Sequence, residues 1–298
     1  MAGGTAAFPV LIHPRRMIGG REFDFDREIA VMAIINRTPD SFFDQGATFA
    51  LDKAVAAAHQ AISDGADWVD IGGVKFAPGP PVPVEQEIDR VVPVVLALRG
   101  AGAVISVDTF QPAVARAALA AGADVINDTT GIHDPLMADI VADSDATLVV
   151  THSLARPRMP HPAPRYGDVV GEVAAFLRER TELALSRGIP AERIIIDPGH
   201  DLNKNTRHSL ELTRRLPEIA ALGYPTLVAV SNKDFIGETL GRARDERVEG
   251  SLAAAVFSIM QGARIVRMHN VRAAVDAVRM TEAILGFREP AYERHNLA

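Results

Sequence analysis

Cysteine is absent from the 298 residues, which excludes disulfides, thiolate metal sites and thiol nucleophiles and fits a reducing compartment. The sequence also lacks a basic excess. Lys and Arg number 31 against 38 Asp and Glu, for a net charge of −7. General nucleic-acid binding, which needs a basic face, is not expected, although a local basic pocket for a small anion is still compatible with these numbers. No apolar run approaches the roughly 20 residues that span a bilayer, and the start has no basic-then-apolar layout. The expectation is a cytoplasmic chain with no membrane and no nucleic-acid partner. There is no zinc or EF-hand spacing either, so any metal would arrive with a phosphate as Mg²⁺.

What is present is a repeated unit. Hydrophobic residues make up 48% and charged residues 23%, ordinary values for a globular fold. The stretch 31–35 is a continuous apolar run of the kind that forms a strand buried on both faces; it stops at Asn36, and a loop containing Thr38, Pro39, Asp40 and Gly46 leads into an apolar-periodic segment. Similar strands are expected at 67–71, 103–107, 123–126, 146–150, 193–196, 225–230 and 263–267. Helical spacing occupies 51–63, 84–98, 111–121, 169–186, 208–221, 249–260 and 271–285. Eight buried-type strands alternating with helices define an α/β chain with a parallel sheet, and eight strands close a TIM (β/α)8 barrel. A doubly wound sheet would place a Gly-rich fingerprint after its first strand, and Asn36-Arg37-Thr38-Pro39-Asp40 is not one. The reading is therefore one barrel domain over 27–298. Residues 1–26 form a tail and a hairpin, its strands at 10–12 and 22–26, covering the barrel's bottom. Pro-rich insertions at 74–83 and 153–166 follow the second and fifth barrel strands.

A barrel gathers its strand ends around one mouth. Here those ends carry Asn36, Gly72-Gly73, Asp108-Thr109, Asn127-Asp128, Thr151-His152, Asp197, Ser231-Asn232-Lys233 and Arg267-Met268-His269. Each has a plain structural reading: Asp108 or Thr109 as a helix cap, Asp128 as a turn residue, Asp197-Pro198-Gly199 as a turn. All but one end being polar favours a site. Asp108, Asn127 and Asp197 supply acceptors and an amide suited to a planar heterocycle with amino and lactam groups. Asn36, Lys204, Lys233, Arg267 and His269 supply donors and positive charge suited to an anion such as a phosphate.

Taken together, Asn36-Arg37-Thr38-Pro39-Asp40-Ser41, Asp70-Ile71-Gly72-Gly73, Ser106-Val107-Asp108-Thr109, Ile126-Asn127-Asp128, Asp197-Pro198-Gly199 with Lys204, Ser231 and Lys233 with Phe235-Ile236-Gly237, and Arg267 with His269 make the chain resemble dihydropteroate synthase over nearly all of its length after the hairpin. The resemblance implies a homodimeric barrel that joins dihydropterin diphosphate to para-aminobenzoate with release of pyrophosphate. By position it implies that Asp108, Asn127, Asp197 and Lys233 hold the pterin. Asn36, Arg267 and His269 would hold the diphosphate, with Mg²⁺ bridging Asn36 to the leaving group. Ser231 and Lys233 would border the aminobenzoate, and sulfa-type ligands would be expected there as well. Asn36, Lys233, Arg267 and His269 are the candidate catalytic residues. A pterin-binding methyltransferase barrel is the less suited relative, because a methyl carrier needs no diphosphate clamp.

The departures concentrate after Gly73. The family's Glu-Ser-Thr-Arg-Pro-Gly is here Val74-Lys75-Phe76-Ala77-Pro78-Gly79, without a gap, so a hydroxyl and a guanidinium are lost at Phe76 and Ala77. A lost charge-assisted hydrogen bond is worth about 1.5–3 kcal/mol, and a lost transition-state donor about 10²–10³ in rate. Further departures are Asn232 for the Arg of Ser-Arg-Lys, Asn270 after the final His, His200 and Asp201 for an aromatic and a Gly, and the new cations Arg37 and Lys75. The leading expectation is a divergent, actinobacterial-type paralogue that keeps the pterin pocket and has weak or absent synthase activity. Its alternatives are an active synthase using Lys75 or Arg37, and a non-catalytic homodimeric binding or scaffold protein.

Overall fold

The computed structural model describes residues 8–37, 46–160 and 163–296. The Thr38, Pro39 and Asp40 part of the first loop, the first seven residues and His161-Pro162 lie outside the described residues. Ten strands and ten α-helices are seen among those described. An antiparallel hairpin, β1 (Arg15–Ile18) and β2 (Arg21–Asp24), precedes eight parallel strands: β3 (Ala30–Asn36), β4 (Trp68–Gly72), β5 (Val104–Asp108), β6 (Val125–Asp128), β7 (Thr147–Thr151), β8 (Ile194–Asp197), β9 (Thr226–Val228) and β10 (Ala263–Met268). They close in sequence order, β10 pairing with β3. The helices are α1 (Gly46–Ser63), α2 (Val84–Ala97), α3 (Pro112–Ala121), α4 (Leu136–Ala142), α5 (Val169–Ser186), α6 (Thr206–Arg214), α7 (Leu216–Ala220), α8 (Asp234–Leu240), α9 (Val248–Met260) and α10 (Val271–Ile284). The fold is the expected TIM barrel.

The strands' alternation builds two cores. Outward side chains such as Val31, Ile71, Val107 and Val150 are buried under the helices. Inward side chains at the amino ends, among them Met32, Trp68, Val104, Val125, Val149 and Ile265, fill the barrel together with Phe23 and Phe25 of the hairpin segment. Phe23 meets Trp68 edge-on at 5.7 Å and stacks on Phe25 at 5.6 Å, so aromatic rings form the floor. Arg21 ties the hairpin to Asp67 at 2.9 Å, and the same carboxylate accepts from the Val31 amide.

The hairpin's register differs from the one read in the sequence. Its turn is Gly19-Gly20, both left-handed at φ 58° and 74°, as a tight two-residue hairpin requires; its first strand is therefore 15–18. The apolar run 10–12 is a leader instead. Leu11 is buried in the floor cluster, while Val10 and Ile12 are exposed. The expected helix 208–221 is also divided in two. Pro217 cannot supply a helical N–H, and the chain breaks at Arg215 between α6 and α7. Short α4 and α8 have no counterpart in the sequence reading.

Candidate active site

Above the floor the inward positions turn polar. Strand register sets Asn36 beside Gly72, Gly72 beside Asp108 and Asp108 beside Asn127, with Thr151 beside Asp197 further round. Arg267, one turn of the pleat before the end of β10, reaches across the barrel: Nε donates to Asp70 Oδ2 at 2.6 Å and Nη2 to Asp108 Oδ2 at 3.0 Å. Asp70 also accepts from Ser106 Oγ at 2.6 Å and Asn127 Nδ2 at 3.1 Å. This fully buried carboxylate is the hub of the site, and sequence reasoning left it as part of a motif. Its signal was present: a charged residue in the middle of a strand that is otherwise apolar must be paired.

The donors of Asn127 are directed to Asp70, whereas its Oδ1 is buried and has no partner among the described residues; Thr151 Oγ1 is in the same position. Buried acceptors without partners are costly unless a ligand supplies the hydrogen. Burial lifts the Asp108 carboxyl to about 7 against the pull of Arg267, with Asp70 adding to the rise. Burial likewise raises Asp197 to about 6, although its Oδ1 accepts from the Gly199 amide at 2.7 Å. The Lys233 ammonium is pushed below its ordinary value by burial, with Asp201 the foremost charge opposing that change.

The remaining expected residues sort themselves differently. Ser231 Oγ accepts from the His269 amide at 3.1 Å and lies 3.0 Å from His269 Nδ1. The Ser231 hydroxyl donates to Nδ1 or accepts from it according to the ring's tautomer. Burial, then Arg267 and Arg244, lower His269 to about 4, so it is a neutral donor and not the cation grouped with Lys233. Lys204 does not face the mouth. Its ammonium is held by His152 Nδ1 at 2.8 Å, Gly199 O at 2.9 Å and Leu202 O at 3.0 Å, and burial lowers it to about 7. Arg37 donates from Nη1 to Asp89 O and Arg90 O of α2 at 2.7 Å each. The turn reading of Asp128 holds, since it accepts from Thr130 N and Ile132 N; the cap reading of Asp108 or Thr109 is corrected, because the N-cap of α3 is Gln111 without a side-chain cap and Thr109 Oγ1 accepts from Gln111 N in the turn before it.

A cavity of about 770 Å³ opens at the mouth, lined by Asn36, Asp108, Ser231, Lys233, Arg267 and His269 and roofed by residues 74–78. Its size suits a small-molecule site. Asn127 and Asp197 lie deeper, both buried. The roof is stitched to the loop after β7. Arg158, at φ 69°, donates from Nη1 to Ala77 O at 3.0 Å and from Nε to Pro80 O at 3.0 Å, while the Arg158 amide donates to Phe76 O at 3.2 Å and the Gly79 amide to Arg158 O at 3.1 Å. Loop two thus has a fixed backbone, and sequence reasoning did not single out Arg158.

Among the described residues no group of three or more His, Asp or Glu could hold a metal ion. Asn36 offers one amide oxygen at the mouth, where magnesium takes six oxygen ligands. Among the described residues, those at the mouth do not make a magnesium site by themselves.

A barrel whose strand ends present buried carboxylates and an unpartnered amide oxygen fits the class of pterin-binding enzymes, and the model of the family described as pterin binding enzyme matches residues 32–269. Inactive dihydropteroate synthase 2 of Mycobacterium tuberculosis is 46% identical over 286 residues, covering 94% of this chain and 90% of that protein. Dihydropteroate synthase of Escherichia coli is 40% identical over 261 residues, covering 87% and 93%. The solved structure of dihydropteroate synthase from Xanthomonas albilineans in complex with 7,8-dihydropteroate superposes with a TM-score of 0.82 at 41% identity, covering 91% of this chain and 98% of that one. The chain belongs to the dihydropteroate synthase family.

Proposed function

We propose that this protein binds a pterin at the mouth of its barrel and condenses dihydropterin diphosphate with para-aminobenzoate weakly or not at all. The observation that carries this reading is the contrast between the two parts of the site. Asp108 and Lys233 line the mouth, Asn127 and Asp197 are buried, and Asn127 Oδ1 has no partner among the described residues. The roof presents Phe76, Ala77 and Pro78, which offer neither a hydroxyl nor a guanidinium. In this reading the carboxylates and Asn127 receive the pterin's N–H groups and Lys233 donates to its ring. Asn36, Arg267 and neutral His269 face the diphosphate, and Ser231 and Lys233 border the arylamine. Departure of pyrophosphate needs donors aimed at the developing charge and a closed site; this roof closes without supplying them. The mycobacterial relatives named inactive dihydropteroate synthase 2 support the same reading.

No step is assigned to magnesium, which the diphosphate would have to bring, with Asn36 as its protein oxygen. Among the described residues no helix is long and apolar enough to cross a membrane; placement in the cytoplasm and assembly as a homodimer are parts of the proposal.

The test is pyrophosphate release with 6-hydroxymethyl-7,8-dihydropterin diphosphate, Mg²⁺ and para-aminobenzoate, run beside a Phe76→Thr, Ala77→Arg double variant, with calorimetric titration of the pterin. Expected are pterin binding by both chains, background turnover by the parent and a rise of about 10²-fold in the double variant, the effect of one restored transition-state donor. Aminobenzoate-dependent turnover by the parent that collapses in a Lys75→Ala variant would establish the second reading, which Lys75's place on the mouth wall favours. A melting temperature unmoved by any pterin would point to a scaffold, because binding to the folded state alone must stabilise it.

A further inference from the structure

The amine side of the mouth, as the pterin reading lays it out, is formed by residues 231–235 and by the loop after β8. Asp201 stands in that loop at φ 62°, where the resemblance drawn from the sequence implies a glycine. Aspartate tolerates the left-handed region better than most side chains, so the loop keeps a glycine's backbone and gains a carboxylate. That carboxylate crosses to α8. Oδ2 accepts from the Asp234 amide at 2.6 Å and from the Phe235 amide at 3.3 Å, and Oδ1 accepts from Ser209 Oγ at 2.9 Å.

Three further donors beside this wall are engaged within the chain. The Ser231 hydroxyl is bound to His269, and the Asn232 amide donates to Ser251 Oγ at 3.0 Å. Arg247 is taken by the carbonyls of Asn232 and Lys233 and by the Asp234 carboxylate at 2.9 Å. Lys233 is left as the cation facing an incoming amine, with Asp201 beside it and exposed Asp234 adding a second negative charge. Lys75 and Arg244 line the same mouth but are exposed, where salt and water weaken their reach. Asp201 is half-buried and less screened.

We infer that Asp201 determines the specificity of this half of the pocket, occupying from inside the donors that a ligand carboxylate would require and thereby selecting a neutral amine-bearing ring over an anionic one. The inference rests on the pterin reading for the position of the amine. It implies that the loss of a hydroxyl and a guanidinium from loop two is accompanied by a change in the class of second ligand, from an aromatic amino acid anion to an uncharged arylamine.

The experiment compares 4-aminobenzoate with its neutral isostere 4-aminobenzamide, titrated into the parent chain and into Asp201→Gly and Asp201→Asn variants at low salt. Pterin binding is measured first on each sample, so failure of the pterin reading is seen separately from failure of this one; the amines are then titrated with and without 6-hydroxymethylpterin and pyrophosphate. The parent should prefer the amide by about tenfold, the factor expected of a partly screened like-charge contact. Asp201→Gly should reverse that preference, and Asp201→Asn, which removes the charge at constant size, should move it the same way. A role confined to capping α8 would lower the melting temperature and weaken both amines by the same factor. That constant ratio would overturn the inference, as would a parent that prefers the benzoate or a set of chains in which neither amine binds.

Discussion

At the scale of single residues, the site is organised by buried charge. Asp70 is enclosed at the barrel's centre, and three donors, from Arg267, Ser106 and Asn127, converge on it, the pairing that a buried carboxylate requires. Asp197 is different: burial raises it to about 6, and its backbone partner offsets only part of that rise. A carboxyl whose folded value exceeds its unfolded value favours the folded state while protonated. Its contribution is full below the unfolded value of about 4 and is lost as pH rises through about 6. In Asp197→Asn that loss disappears, because an amide does not titrate. The melting temperature of the variant relative to the parent should therefore climb between pH 4.5 and pH 7 and then level off. The same ionisation readies Asp197 as an acceptor for a pterin's amino group, so the variant's gain in stability at pH 7 should accompany weaker pterin binding. A difference in melting temperature that stays flat across this range would show that Asp197 is ionised throughout.

At the scale of elements, the strands were legible and their consequences were not. Parallel strands buried on both faces read as continuous apolar runs, and the expected run 103–107 meets β5 at 104–108, as 146–150 meets β7 at 147–151. The run 10–12 has the same composition but sends Leu11 alone into the floor, since no neighbouring strand offers it a ladder. Polar strand ends could be named from the sequence because the barrel brings them together whatever their partners. Which way a long cation turns cannot be read that way: Lys204 and Arg37 end on backbone carbonyls that approach them only in the folded chain. Arg158 is the clearest case. It lies in a Pro-rich loop more than seventy residues from the carbonyls it binds, and it fixes the roof without contributing a hydrogen bond from its guanidinium to the site itself. An Arg158→Ala variant should leave the fold intact, because each bond from its charged guanidinium is worth at most about 1.5–3 kcal/mol and both lie exposed, where such bonds count for less. Amide exchange should rise in residues 76–80 and remain unchanged in β4 and α2. Exchange spread evenly over the barrel would mean that the strap supports the fold and not the roof.

At the scale of the whole molecule, the closed sheet gathers its strand ends at one rim and carries its helices outside, where the proposed homodimer would associate. Aromatic packing of Phe23, Phe25 and Trp68 fills the opposite end. On the outside, α9 exposes Phe257 and Met260, and neighbouring α10 exposes Met280 at 61% and Ile284 at 71%. Large apolar side chains at i, i+3 and i, i+4 share a helix face, and exposed apolar faces on adjacent elements are characteristic of association surfaces. A second copy is the partner that fits, because a two-fold axis lets the same face cover itself. These helices also flank the site: Ser251 of α9 holds Asn232, and α10 begins two residues after His269. A Met280→Glu, Ile284→Glu variant should therefore elute as a monomer of 31.9 kDa under multi-angle light scattering, where the parent has twice that mass. Its far-ultraviolet circular dichroism should not change, because both side chains point away from the core. If pterin affinity then falls about tenfold or less, loss of the neighbouring copy has loosened a support of the site. A parent that is itself monomeric at micromolar concentration removes the dimer from the proposal, and a variant that stays dimeric assigns the interface to another face.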